Sequence, residues 1–150
     1  MTKALIRECT HRDLDAVSQL DALWKEEGIA YVWNGDRARL VADFERFPQY
    51  FLVAEIDDRI VGYVNGSVRA NESLDVLPKA ERYLEIENIY VMAEFRDRHV
   101  GGDLLERLLA KARENGIARS VVSTVTRDMD RILSFYRGYG FKPWFVELFK

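Results

Sequence analysis

Two arginines and two glycines near residue 100 form a candidate anion site. Arg96 and Arg98 precede Gly101 and Gly102, which begin a segment with helical periodicity. The first N–H groups of a helix have no partner inside the helix, and they attract anions. No Ser, Thr, Asp or Asn stands at positions 98–102 to cap them. This predicts a phosphate site in the run Arg96-Asp97-Arg98-His99-Val100-Gly101-Gly102, although a helix that follows a charged loop would show the same short pattern.

Two acids and one tyrosine are candidates for proton transfer. Glu85 and Glu87 are two residues apart in a predicted strand, so strand alternation predicts that they share a face with Ile89 and Val91. Such a pair either accepts protons or forms a solvated strand face. Tyr136 lies on a predicted helix, where its phenol, with an ordinary pKa of ~10, is either a proton donor or part of the core.

Hydrophobic periodicity predicts the elements that would position these residues. Their order indicates one mixed α/β domain that occupies residues 1–150. The predicted strands are Lys3–Glu8, Phe51–Ile56, Ile60–Val68, Tyr83–Val91, Ser120–Thr126 and Lys142–Phe149. The predicted helices carry Leu14 to Trp24, Leu40 to Phe47, Gly101 to Asn115 and Asp130 to Tyr139.

Composition narrows the possible functions. The chain has 150 residues, is 48% apolar and carries a net charge of −3, which disfavours a nucleic-acid-binding surface. The single cysteine, Cys9, has no partner for a disulfide, and the two histidines lack metal-ligand spacing. No apolar run is long enough for a signal peptide or a membrane span. We therefore expect a cytoplasmic protein without a metal and without a membrane partner.

Two motifs in the correct order resemble those of the GNAT family of N-acetyltransferases. Residues 89–102 resemble its acyl-CoA motif, an apolar strand followed by Gln/Arg-x-x-Gly-x-Gly/Ala at a helix start. Arg96 matches the first position and Gly101 the last, whereas His99 stands where the family usually has glycine. Residues 133–141 are similar to the terminal Tyr-x-x-x-Gly-Phe signature. The resemblance implies a GNAT-like α/β fold: a single domain with a mixed, mostly antiparallel sheet, a splayed central strand and flanking helices.

The resemblance also implies an activity, the transfer of an acetyl group from acetyl-CoA to a primary amine by direct attack on the thioester. Its co-substrate would lie along the splayed strand at Ile89, Tyr90 and Val91, with the pyrophosphate at residues 96–102. A backbone N–H near Val91 would stabilise the oxyanion. The family often has an asparagine where this chain has Met129, so the resemblance predicts no polar contact to coenzyme A from that position.

The same resemblance assigns chemical roles to side chains. Tyr136 matches the tyrosine that often protonates the leaving thiolate. Glu85 or Glu87 would accept the proton of the amine. Tyr31 and Trp33 lie in a loop that usually borders the acceptor pocket, although they can equally pack on the domain.

Several alternatives remain open at this point. The acceptor is a small-molecule amine or a peptide amine, which includes a protein N-terminus or a lysine. A non-catalytic acyl-CoA sensor would share the same motifs. A nucleic-acid binder is disfavoured by the net charge. The aromatic residues Trp144, Phe145 and Phe149 of the last predicted strand are suited to a homodimer.

Overall fold

The computed structural model describes residues 2–28 and 36–150. Its strands are β1 (Leu5–Glu8), β2 (Phe51–Ile56), β3 (Arg59–Ala70), β4 (Arg82–Val91) and β5 (Arg119–Val122). In the described residues they form one sheet in the order β1-β2-β3-β4-β5. Neighbours from β1 to β4 are antiparallel, and β5 is parallel to β4. The expected mixed, mostly antiparallel sheet is confirmed.

Four helices flank this sheet in the described part of the chain. They are α1 (Leu14–Glu26), α2 (Arg37–Arg46), α3 (Val100–Glu114) and α4 (Met129–Arg137). The α2 helix begins at Asp36, whose carboxylate accepts a 2.9 Å hydrogen bond from the Arg39 N–H and so satisfies a first-turn donor. No helix in residues 2–28 and 36–150 has the length and hydrophobicity needed to cross a membrane.

The helices cover opposite faces of the sheet. On one face, Phe44 of α2 packs edge-on against Phe51 of β2, with 6.0 Å between ring centroids. On the other face, a Cβ added to Gly62 of β3 would lie 3.3 Å from the Leu104 side chain of α3. Leu104 and its helical neighbour Leu108 are fully buried there. The core therefore has two layers, one on each face of the sheet. The edge of the sheet at β4 and β5 lies between these layers.

A β-bulge in β4 changes which side chains share a face. Asn65 pairs with Asn88, but the next residue of β3 pairs with Ile86, so Glu87 is an extra residue in β4. The extra residue reverses the alternation. Glu87 and Glu85 therefore lie on the α1 and α2 face, whereas the side chains of Ile89 and Val91 lie on the α3 face. The prediction that all four share one face was wrong because alternation holds only for an uninterrupted strand.

The strands β4 and β5 diverge after a short paired stretch. They pair only from Tyr83 with Arg119 to Ile86 with Val122. Beyond that point β4 continues to Val91, while the chain after Val122 leaves the sheet. This confirms the splayed strand that the family resemblance implied, and it opens a cleft beside residues 87–91.

The C-terminal segment differs from the prediction. Residues 142–149 form no strand. The strand β5, predicted to reach Thr126, ends at Val122. The side chains of Phe145, Leu148 and Phe149 are 66%, 88% and 98% exposed. A β-prone composition forms a strand only where it pairs with a neighbouring edge and gains apolar cover, and residues 142–149 pair with no strand among the described residues.

Candidate active site

The cleft between β4 and the chain after β5 contains a cavity of about 810 Å³. Residues 86–91 of β4 line one side, and residues 122–125 line the other. The start of α3 closes one end, and one face of α4 covers it. The residues of α4 and of the turn after it that line the cavity recur with helical spacing and are Arg131, Ile132, Phe135, Tyr136 and Tyr139.

The backbone of β4 directs hydrogen-bonding groups into this cleft. The Met92 N–H donates to the Val61 carbonyl at 2.9 Å, so these opposite residues form a hydrogen-bonded pair. Such pairs alternate along an antiparallel ladder with pairs that are not hydrogen-bonded. Gly62 with Val91 is therefore a pair without ladder bonds, and so is Val64 with Ile89. The N–H and C=O groups of Ile89 and Val91 consequently point away from β3, toward the cleft.

The start of α3 exposes its first amides at the end of the cavity. His99 is the N-cap residue, has φ +62° and makes no capping hydrogen bond with its side chain. Histidine is among the residues that tolerate this left-handed conformation. Because no side chain satisfies the first-turn N–H groups, the helix dipole and these donors face the cavity together.

The two glycines of the motif have different surroundings. A Cβ on Gly101 would have ordinary contacts, with Val91 Cγ2 at 3.7 Å. A Cβ on Gly102 would collide with the hydroxyl of Tyr139. Gly102 therefore leaves room for the side chain of Tyr139, which follows α4, to lie against α3. Gly101 leaves the helix start open toward the cavity.

The three charged residues of the motif differ in their contacts. Asp97 forms an ion pair with Arg131 at 3.5 Å, and both residues line the cavity. The guanidinium of Arg98 lies 5.3 Å from the ring centroid of Phe95, and Arg98 does not line the cavity. Arg96 lines the cavity, but its Nη2 is 2.8 Å from both carboxylate oxygens of Glu27.

Tyr136 reaches the cavity from α4 and is 8% exposed. It packs edge-on against Phe135 and Phe141, with centroid distances of 5.1 and 5.4 Å. Burial raises the pKa of its phenol to about 12. The phenol therefore stays protonated at neutral pH and can donate a hydrogen bond.

The two strand acids are held by residues of β3. Glu87 lines the cavity, and its Oε1 accepts hydrogen bonds from Ser67 Oγ at 2.7 Å and Arg69 Nη2 at 3.1 Å. Glu85 does not line the cavity and lies 3.7 Å from Arg69. Burial raises the pKa of Glu85, and the Arg69 charge opposes this shift. Asn88, next to Glu87, donates to Asn65 Oδ1 at 2.9 Å, while its own Oδ1 has no partner among the described residues.

The residues predicted for the site differ from those that line the cavity. Tyr31 and Trp33 lie outside the described residues. Arg127 and Arg131 line the cavity and were not predicted. The helical spacing of Arg131 with Phe135 and Tyr139 is a signal that could have identified it. In residues 2–28 and 36–150, no three or more His, Cys, Asp or Glu side chains are grouped to hold a metal ion.

Comparisons with known proteins agree on one family. The profile described as "Acetyltransferase (GNAT) family" matches residues 14–141. An N-alpha-acetyltransferase of Sulfurisphaera tokodaii is 25% identical over 91% of this chain and 79% of its own length. An N-alpha-acetyltransferase of Sulfolobus acidocaldarius is 27% identical over 97% of this chain and 82% of its own length.

Solved structures share the fold at low sequence identity. Glucosamine-6-phosphate N-acetyltransferase from Arabidopsis thaliana superposes with a TM-score of 0.73 at 14% identity and covers 99% of this chain and 98% of its own. A predicted acetyltransferase from Clostridium acetobutylicum, solved with acetyl-CoA, has a TM-score of 0.73 at 21% identity and covers 97% and 96%. The aminoglycoside enzyme AAC(6')-Iy with a bisubstrate analogue reaches 0.77 at 19% identity, covering 99% and 97%.

Proposed function

The chain belongs to the acetyltransferase (GNAT) family and is an acetyl-CoA-dependent N-acetyltransferase, and from this premise we propose that it acetylates the free α-amino group of a peptide or protein. The cleft between β4 and β5 carries the proposal, because backbone donors, a phenol and a carboxylate line one cavity there. The acceptor class is supported by the two relatives named N-alpha-acetyltransferase, which match 91% and 97% of this chain.

In this proposal the strand and the helix start bind the co-substrate. The N–H and C=O groups at Ile89 face the cleft and would pair with the amides of the pantetheine arm, as an added strand would. The uncapped amides after His99 would bind the pyrophosphate. Gly101 supports this binding because it leaves the helix start open.

The same groups account for transfer. The Val91 N–H would stabilise the oxyanion that forms when the amine attacks the thioester. Tyr136 would donate a hydrogen bond to the departing thiolate. Outright protonation is unfavourable, because a phenol with a pKa of about 12 is ~3.5 units above an ordinary thiol at ~8.5, which corresponds to ~5 kcal/mol. The acceptor ammonium loses two protons in all. In this proposal Glu87 accepts the first before attack, and the second leaves the amine nitrogen as the tetrahedral intermediate collapses and balances the charge of the departing thiolate.

Glu87 is the proposed proton acceptor. It lines the cavity, and hydrogen bonds from Ser67 and Arg69 hold its carboxylate in place. An α-amino group, with a pKa of ~7.7–8.0, needs less assistance than a lysine amine at ~10.4. This difference favours a peptide N-terminus over a lysine side chain as the acceptor.

A small cationic amine is the second candidate acceptor. Glu85 and Glu87 lie on the α1 and α2 face of the sheet, where Arg69 is paired with both carboxylates. Two negative charges against one positive charge would attract a cation. Enzymes for aminoglycosides and glucosamine-6-phosphate are among the structural neighbours.

A thiol-release assay over an acceptor panel tests the proposal. The panel contains a peptide with a free N-terminus, the same peptide N-blocked, an N-blocked lysine peptide, an aminoglycoside and glucosamine-6-phosphate. We expect turnover with the free peptide and none with either blocked peptide. Turnover only with the amino sugars would establish the second candidate. Binding of acetyl-CoA by calorimetry without turnover on any amine would instead support the acyl-CoA sensor.

We further propose that the exposed C-terminal segment, residues 142–149, joins two copies of the chain. Its exposed aromatic side chains lack apolar cover, and β5 has an open edge because its one neighbour in the described sheet is β4. Light scattering after gel filtration tests this. We expect a dimer that Phe145→Asp dissociates, and a monomeric wild-type protein would contradict the proposal.

A further inference from the structure

Glu27, directly after α1, connects three separate parts of the molecule. Its carboxylate accepts hydrogen bonds from Arg96 Nη2 at 2.8 Å to each oxygen and from the Tyr90 hydroxyl at 2.8 Å. Its carbonyl accepts a 2.9 Å hydrogen bond from Arg127 Nη1. Glu27 is therefore bound to β4, to the loop that follows β4 and to the loop that precedes α4.

These contacts join the two sides of the cleft. Arg96 belongs to the loop after β4, and Arg127 to the chain after β5, which are the segments that separate where the strands splay. The approach of Arg127 is close, since a Cβ on Gly28 would lie 2.8 Å from Arg127 Nη1. The end of α1 thus has contacts with residues from both sides of the cleft.

Arg96 transmits this connection to the strand. Its Nε donates to the Val91 carbonyl at 2.9 Å, and its guanidinium lies 5.3 Å from the Tyr90 ring centroid. Trp24 of α1 stacks on the same ring, with centroids 5.7 Å apart. Two of the three guanidinium nitrogens are bound to protein groups, and the positive charge is paired with Glu27. Arg96 is built into the wall of the cleft.

We propose that Glu27 and Arg96 are positioning residues that orient the end of β4, and that Arg96 does not contribute its charge to phosphate binding. The Val91 N–H and C=O point the same way from the strand, so a hydrogen bond that holds the carbonyl also fixes the direction of the N–H. This inference rests on the proposed role of that N–H in stabilising the oxyanion.

The two possible roles of Arg96 predict opposite results for Glu27→Gln. If the pair positions Val91, the variant loosens Arg96 and lowers kcat, because a misdirected donor stabilises the transition state less. We expect a loss of about tenfold in kcat, with the Kd for acetyl-CoA unchanged within about threefold. If Arg96 is a phosphate ligand that Glu27 restrains, the same variant frees its charge and tightens acetyl-CoA binding.

The experiment compares Glu27→Gln, Arg96→Met and the double variant with a matched control. Glu26→Gln is that control, because Glu26 is an exposed acid beside Glu27. Calorimetry gives the Kd for acetyl-CoA, and the thiol-release assay gives kcat. We expect the double variant to be no slower than Arg96→Met, since the two residues act as one unit, and the control to match wild type.

A readout independent of activity separates this inference from the proposed function. The Val91 amide resonance should shift in Glu27→Gln and stay in place in Glu26→Gln, whether or not an acceptor has been found. An unchanged Val91 amide together with an unchanged kcat would overturn the inference. A lower Kd in Glu27→Gln, or a strongly salt-dependent rise in Kd in Arg96→Met, would overturn it in favour of a phosphate ligand.

Discussion

His99 stands where the family motif usually has glycine. Replacing it with glycine tests whether the backbone or the imidazole serves the co-substrate site. His99 occupies the left-handed region at φ +62°, a conformation that costs an L-residue roughly 1–2 kcal/mol. Glycine removes this cost but makes the unfolded chain more flexible, which offsets about 0.4–1 kcal/mol. We therefore expect His99→Gly to raise the free energy of unfolding by about 0.5–1 kcal/mol, or about 1–4 °C in Tm for a chain of this length.

The expected effect on the co-substrate is small. The backbone donors after His99 are kept, so the Kd for acetyl-CoA should stay within about threefold of wild type. If the imidazole itself binds a phosphate, its loss would remove a hydrogen bond of about 1–1.5 kcal/mol, which is roughly tenfold in Kd.

Thermal unfolding and calorimetry check these expectations. Ala80→Gly is the matched control, because Ala80 also has a positive φ of +67° but lies in an exposed turn that does not line the cavity. Both variants should gain stability, and the control should bind acetyl-CoA as wild type does. A tenfold rise in the Kd for acetyl-CoA in His99→Gly alone would refute the backbone explanation.

Four further substitutions separate the remaining roles. Tyr136→Phe removes a hydrogen bond to the departing thiolate and should lower kcat by about 10²-fold. The factor should be the same at pH 7 and pH 9.5, because the raised pKa of about 12 keeps the phenol protonated across that range; a ratio that changes with pH would contradict this. Glu87→Gln should reduce kcat/KM at pH 7 by at least about tenfold, and Glu85→Gln by less than about threefold; equal losses would remove the distinction between the two acids. Gly102→Ala should lower Tm although alanine favours helix by about 1 kcal/mol, because its methyl group collides with the Tyr139 hydroxyl; an unchanged or higher Tm would show that Tyr139 moves aside freely.

Local patterns predicted the elements but not their exceptions. The start of α3, the missing cap and the glycines follow from residues within one turn of each other, and these predictions agree with the structure. The bulge at Glu87 depends on how β4 pairs with β3. The alternation of residues within β4 gives no information about that pairing. The same limit applies to residues 142–149, whose apolar composition predicted a strand without a partner to pair with.

Contacts between distant residues were the other exception. Arg96 stands 69 positions after Glu27, and Arg127 stands 100 positions after it. A motif that is read along the chain assigns Arg96 to the phosphates because arginine is a common anion ligand. The motif gives no information about the carboxylate of Glu27, which follows α1 and is bound to the Arg96 guanidinium.

The single extra residue at Glu87 divides β4 into two segments that can change independently. Substitutions at Glu85 and Glu87 change the acids on the α1 and α2 face, whereas Ile89 and Val91 keep their backbone geometry, so one half of the strand can vary while the other is retained. Deleting Glu87 would have a different consequence. It would remove the bulge and leave Ile86 paired with Gly66 and Glu85 with Ser67, so both halves would keep their register and the cavity would lose an acid that lines it.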